Sequence, residues 1–95
     1  MKDIDEVKEI LKEMGFTIQN LPLPGYPQGK KHPCYVDSES PLKVYCFGNE
    51  AHFHGPKHYI SIDHFGEHSG TGNWTKEDFQ KHVEAIREKA RKTTK

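Results

Sequence analysis

Four of the chain's seven histidines fall within the stretch EAHFHGPKHYISIDHF, as His52, His54, His58 and His64. Imidazole changes charge near neutral pH and is a common metal ligand, so spacing decides which chemistry is open. His52 and His54 are two residues apart, and on a strand both rings would leave the same face. That pair could begin a zinc site, but a structural zinc takes four ligands. Asp63 is the nearest candidate for a third. Cys34 and Cys46, separated by eleven residues, match no zinc-finger spacing. Zinc is therefore a minor expectation that rests on His52 and His54.

The same residues could do acid–base chemistry. A metal-independent ribonuclease or phosphodiesterase needs a group to take a proton, a group to return one, and a cation for the phosphate. His52, His54, Tyr59 and Asp63 are the candidate catalytic groups, with Lys43 and Lys57 as cations. No G-x-S-x-G, H-E-x-x-H or Walker loop supports a specific enzyme class.

Two further segments carry weaker signals. GEHSGTGNWT, residues 66–75, brings glycines and hydroxyls to the start of a helix, where anions bind. Its spacing matches no phosphate loop, so an ordinary connector with an N-cap is expected. Pro24 and Pro27 match P-x-x-P, a degenerate motif in a segment whose prolines and glycines already mark an ordered loop.

The elements that must position these groups follow from periodicity. Ile4, Val7, Ile10, Leu11 and Met14 form a helical apolar stripe over residues 3–14, and Gly15 stands where a C-cap belongs. Residues 20–33, NLPLPGYPQGKKHP, predict a crossing loop. Phe16 and Ile18 would fold back onto the core ahead of it. From His32 onward apolar residues alternate instead. Pairing Val36 with Leu42, Phe47 with Glu50 across Gly48-Asn49, and His54 with Lys57 across Gly55-Pro56 gives four antiparallel strands. In that register Cys34, Val36, Leu42, Val44, Cys46, Ala51, Phe53, Ile60 and Ile62 share one apolar face. Residues 66–74 form a glycine-rich loop. Phe79, Val83, Ile86 and Ala90 stripe a second helix, opened by Thr75 with Asp78 in a capping-box arrangement and closed by a basic tail, 91–95. The expectation is a single α+β domain over 1–95, a four-stranded antiparallel meander with both helices on one face.

The same parity would put Tyr35, Tyr45, Phe47, His52, His54 and Tyr59 together on the uncovered face, with His58 and His64 at the margins of the core. A solvated sheet face usually carries Thr, Lys, Glu and Ser, and a contiguous ring-bearing patch marks a contact. Fourteen basic and fourteen acidic residues cancel, so no global field recruits nucleic acid or a membrane. Single-stranded nucleic acid is still an alternative ligand. The aromatics could stack on bases, and Lys30, Lys31, Lys43, Lys57, Arg87, Lys89, Arg91, Lys92 and Lys95 could meet phosphate. The charged N-terminal stretch is no signal peptide, and two cysteines make no disulfide framework, which points to the cytoplasm. In the proposed register Cys34 and Cys46 are diagonal neighbours, too far apart to bridge, and two free thiols are expected. The first functional reading is a binding module whose open face contacts a protein partner. The second is the histidine-dependent nuclease.

Overall fold

The structure, a computed structural model, describes residues 3–22 and 30–93. Helix α1 (Ile4–Glu13) starts where the Asp3 carboxylate accepts a hydrogen bond from the Asp5 N–H at 2.9 Å. It ends at Met14 and Gly15, with Gly15 at φ 99°. Helix α2 (Lys76–Thr93) runs into most of the expected basic tail. Its capping box closes in both directions. The Asp78 N–H donates to the Thr75 hydroxyl at 3.2 Å, and the Thr75 N–H donates to the Asp78 carboxylate at 2.9 Å. Those bonds hold the Asp78 carboxyl below its usual range.

Among the described residues the sheet has five antiparallel strands in sequential order, where four were expected: β1 (Phe16–Pro22), β2 (Lys31–Asp37), β3 (Lys43–Phe47), β4 (Glu50–His54) and β5 (Ile60–His64). β1 is the addition, and with β2 it claims both ends of the expected crossing loop. Proline is the reason the strand signal was hidden. β1 is an edge strand, where Pro22 can lack an N–H without breaking a central ladder. Pro33 pairs with Asn20 on one side, and the ladder to β3 has already stopped at Cys34 on the other. The P-x-x-P motif at Pro24 and Pro27 lies outside the described residues.

The Gly48-Asn49 hairpin forms as expected, with Phe47 opposite Glu50. Gly48 has φ 55°, which suits glycine at the first position of a two-residue turn. The other two registers differ from expectation. Between β2 and β3, Val36 faces Lys43 and Tyr35 faces Val44, a shift of one residue. The Asp37 carboxylate accepts from the Glu39 N–H and the Ser40 hydroxyl, building a connection in which six residues rather than five separate Val36 from its partner. Between β4 and β5, His54 faces Ile60 rather than Lys57. The loop is Gly55–Tyr59, closed by the Gly55 N–H donating to the Tyr59 carbonyl at 2.8 Å, with Lys57 and His58 both at positive φ. Odd shifts exchange the faces of a strand.

Both helices pack on one face of the sheet. Ile4, Val7, Ile10 and Leu11 of α1 and Phe79, Val83, Ile86 and Ala90 of α2 enclose Phe16, Tyr35, Val44, Ala51 and Phe53 from the strands, with Leu42 and Phe65 from loops. A buried ion pair ties this layer together. The Arg87 side chain is 3% exposed and the Asp37 side chain 0%. Arg87 donates from Nε and Nη2 to the two Asp37 oxygens at 2.7 and 2.9 Å, and from Nη2 to the Met14 carbonyl. Its Nη1 meets Glu84 and Glu39, and its guanidinium lies 5.1 Å from the Phe16 ring centroid. Burial alone would lower the Arg87 pKa, but Asp37 and Glu84 outweigh it and the net shift is upward. One side chain thus joins α2, the end of α1, β1 and the β2–β3 turn.

Candidate functional site

The face opposite the helices, open among the described residues, is read directly from the ladders, because directly opposed residues share a side. Tyr45 faces Cys34 on one flank and His52 on the other, and His52 faces Ile62. Lys43 lies between Val36 and His54, which faces Ile60, while Phe47 faces Glu50, which faces His64. Tyr45, Phe47, His52 and His54 therefore occur together as expected.

Three other expected members do not join them. Tyr35 faces Val44 and is buried in the core under the helices, where burial raises its pKa. Asp63 faces Ala51 on the helix side, and its carboxylate meets Nε2 of His82 at 2.7 Å. Trp74 caps that pair edge-on, 4.9 Å from the His82 ring. Tyr59 sits in the β4–β5 loop and packs against the core, beside Gly55 and Ala90. Conversely, Cys34, Val36, Ile60 and Ile62 lie on the open face rather than the apolar core face. His58 is exposed in the β4–β5 loop, and His64 projects from the open face, instead of lining the core.

Rings on the open face meet edge to face. Tyr45 and His54 have centroids 5.1 Å apart, Phe47 and His52 are also 5.1 Å apart, and His32 lies 5.8 Å from Phe47. Such contacts add about 0.5–1.5 kcal/mol each beyond burial and fix ring orientation. Tyr45 is only 3% exposed. With Cys34 it forms a small second core, flanked by Leu21, Val36 and Phe47. Its hydroxyl reaches the Pro22 carbonyl at 3.4 Å, and burial pushes its pKa up to about 12. Tyr45 is thus the floor of the face rather than its contact surface. Burial, then the neighbouring His52, lowers the His54 pKa and favours the neutral imidazole. Glu50 stands between two imidazoles, 2.9 Å from His52 Nε2 and 3.4 Å from His64 Nε2.

At one end of the face is a groove of about 620 Å³, a volume typical of small-ligand and peptide pockets. Leu21, Lys43, Tyr45, His54, Tyr59 and Ile60 line it. His54 and Tyr59, at the two ends of the β4–β5 connection, both line it. His52 and Asp63 do not reach it, so the four candidate catalytic groups do not converge. Among the described residues, no three His, Cys, Asp or Glu side chains form a group that could hold a metal ion. No family model matches this chain, and no curated protein or solved structure is significantly similar to it.

The remaining candidates resolve locally. In the glycine loop the Thr71 hydroxyl donates to the His64 carbonyl at 2.5 Å, and the Ser69 hydroxyl donates to Gly66. The start of α2 is occupied by its own Asp78 carboxylate, an anion already in place. Arg87 is consumed by the buried ion pair, and Arg91 donates to the Glu39 carbonyl and to Glu88. Neither is then a ready phosphate contact. Cys34 and Cys46 are free thiols on opposite faces, which separates them more surely than the diagonal expected from sequence. Among the described residues, no helix is long and apolar enough to cross a membrane.

Proposed function

We propose that the protein is a binding module that receives a protein partner on its open sheet face. The observation that carries this reading is the helix-free face itself, in which Phe47, His52 and His54 are held edge to face over a buried Tyr45 floor. Rings already fixed in place lose little entropy when a partner covers them. Lys43 is the cation on the groove side and Glu50 the anion at the other end, so the face suits a mixed, mostly apolar segment of a partner. A strongly anionic polymer would meet Glu50 at one end and a chain of zero net charge overall. A reducing compartment such as the cytoplasm suits two unpaired thiols.

The nuclease reading loses its carboxylate, because Asp63 is turned toward His82 on the helix side. Zinc at His52 and His54 would need further ligands from outside the described residues or from a partner.

A photo-crosslinking residue in place of His54 tests the proposal. The expected result is a discrete adduct with a protein, mapped by mass spectrometry, that disappears on Phe47→Glu. Adducts no more abundant than those from the same residue at Glu77 of α2, on the helix side, would end this reading.

A further inference from the structure

We infer that two copies of this chain pair edge to edge through β5, antiparallel, with Ser61 set against Ser61 of the second copy. The inference starts from backbone parity. The Gly55 N–H donates to the Tyr59 carbonyl and the Phe65 N–H donates to the Asn49 carbonyl, each at 2.8 Å. Both lie in the register that pairs β4 with β5. In an antiparallel ladder hydrogen-bonded pairs alternate with non-bonded ones. Odd-numbered residues of β5 therefore bond to β4, and Ile60, Ile62 and His64 turn their N–H and C=O groups out of the sheet.

That edge is closed at one end and open at the other. The Thr71 hydroxyl takes the His64 carbonyl at 2.5 Å, seating the glycine loop against the end of the strand. Ile60 and Ile62 have no such cover among the described residues. These residues are 54% and 47% exposed, and with Ile18 they are the exposed large apolar residues among the described ones. Folded proteins blunt an open edge with charge, proline, a bulge or a covering segment, and the Ile60–Ile62 stretch carries none of these. β1, the opposite edge, ends in Pro22 and exposes a single isoleucine, Ile18, among the polar Thr17, Gln19 and Asn20.

The free groups determine the occupant and the register. Two isolated residues with outward N–H and C=O are matched by a strand presenting the same pair at the same spacing, and a second β5 does so by symmetry. Setting Ile60 against Ile62 of the second copy, and Ile62 against its Ile60, forms four backbone hydrogen bonds. It uses the outward N–H and C=O groups of Ile60 and Ile62 and leaves the His64 carbonyl to Thr71. Four isoleucine side chains then meet at the seam on the open side, and the seam joins two five-stranded sheets into one of ten strands. The pairing uses the edge and leaves Phe47, His52 and His54 free, so it stands apart from the face reading.

Light scattering on the purified full chain tests it. The expected mass is twice the 11.0 kDa of one chain, reverting to one chain at high dilution. Ile62→Glu is expected to be monomeric, with unchanged circular dichroism because the side chain is exposed. Ile18→Glu, on β1, is expected to stay dimeric. In the inferred register Ser61 is a non-hydrogen-bonded pair, with Cα atoms about 4.5 Å apart, within disulfide reach. Ser61→Cys should therefore cross-link two chains under mild oxidation. A wild-type monomer at all concentrations, or a dimer that survives Ile62→Glu, would overturn the pairing. Cross-linking by Ile62→Cys but not by Ser61→Cys would overturn the register.

Discussion

Removing Arg87 should damage this protein as much as emptying a large apolar core position. In Arg87→Met the stem of the side chain is kept, but the Asp37 carboxylate loses both guanidinium bonds. It is left with the Glu39 N–H and the Ser40 hydroxyl at a site where its side chain is 0% exposed. Glu84 and Glu39, the other two partners, are 53% and 58% exposed and return to water with little penalty. The cost is thus that of one buried, half-satisfied charge, about 3–5 kcal/mol. A domain of this size is expected to have roughly 5–14 kcal/mol in total, so the loss is a large fraction of it. Urea unfolding followed by Trp74 fluorescence and circular dichroism reads it. At a slope of roughly 1.5 kcal/mol per molar urea the midpoint should fall by about 2–3 M. Neutralising the stranded charge should restore part of the loss, so Asp37→Asn with Arg87→Met should be more stable than Arg87→Met alone by about 2 kcal/mol. A loss below 1 kcal/mol in Arg87→Met, or a double variant no better than the single, would refute the reasoning.

Three other outcomes follow from local geometry. A Cβ at Gly72 would lie 2.8 Å from the carbonyl oxygens of both Gly66 and Glu67. Those are backbone atoms, and Gly72→Ala should cost about 1–3 kcal/mol by thermal unfolding. The folded-state pKa of His54 is depressed below its unfolded value of 6.5. The unfolded chain therefore takes up the proton first, and this contribution is present above pH 6.5 and lost as pH falls through the folded value. Proton NMR should place the His54 midpoint below 6.5, and His54→Gln should flatten the stability profile on the acid side. Burial pushes the Cys46 thiol up to about 11 and raises Cys34 as well. At pH 7.5 an aromatic disulfide reagent should label both slowly in the native protein and rapidly in urea.

Much of the fold was legible because helices repeat over short range. The stripes Ile4–Val7–Ile10–Leu11 and Phe79–Val83–Ile86–Ala90 are buried as their spacing required, and the Thr75–Asp78 box closes as written. The central hairpin was legible too, because Gly48-Asn49 admits one tight turn. β1 was not, since the prolines that argue against a strand are tolerated at an edge and past the end of a ladder. The candidate site was legible in its centre, at Tyr45, Phe47, His52 and His54, which belong to the two strands joined by that turn. It failed on both flanks. Tyr35 and Asp63 went to the helix side, and Cys34, Val36, Ile60 and Ile62 to the open side.

The sequence by itself determined the helices, their inward stripes, the antiparallel strand content and the middle of the open face, because each depends on neighbours within a turn or two of chain. Only the tertiary structure decided which face the outer strands present. Alternation alone favours the opposite phase in β5, where Ile60 and Ile62 alternate with Ser61 and Asp63, and loops of other lengths than the sequence suggested reversed it. The selection was made by groups far apart in sequence. Asp37 builds the β2–β3 turn while binding Arg87, fifty residues on, and Asp63 turns inward to meet His82, nineteen residues on.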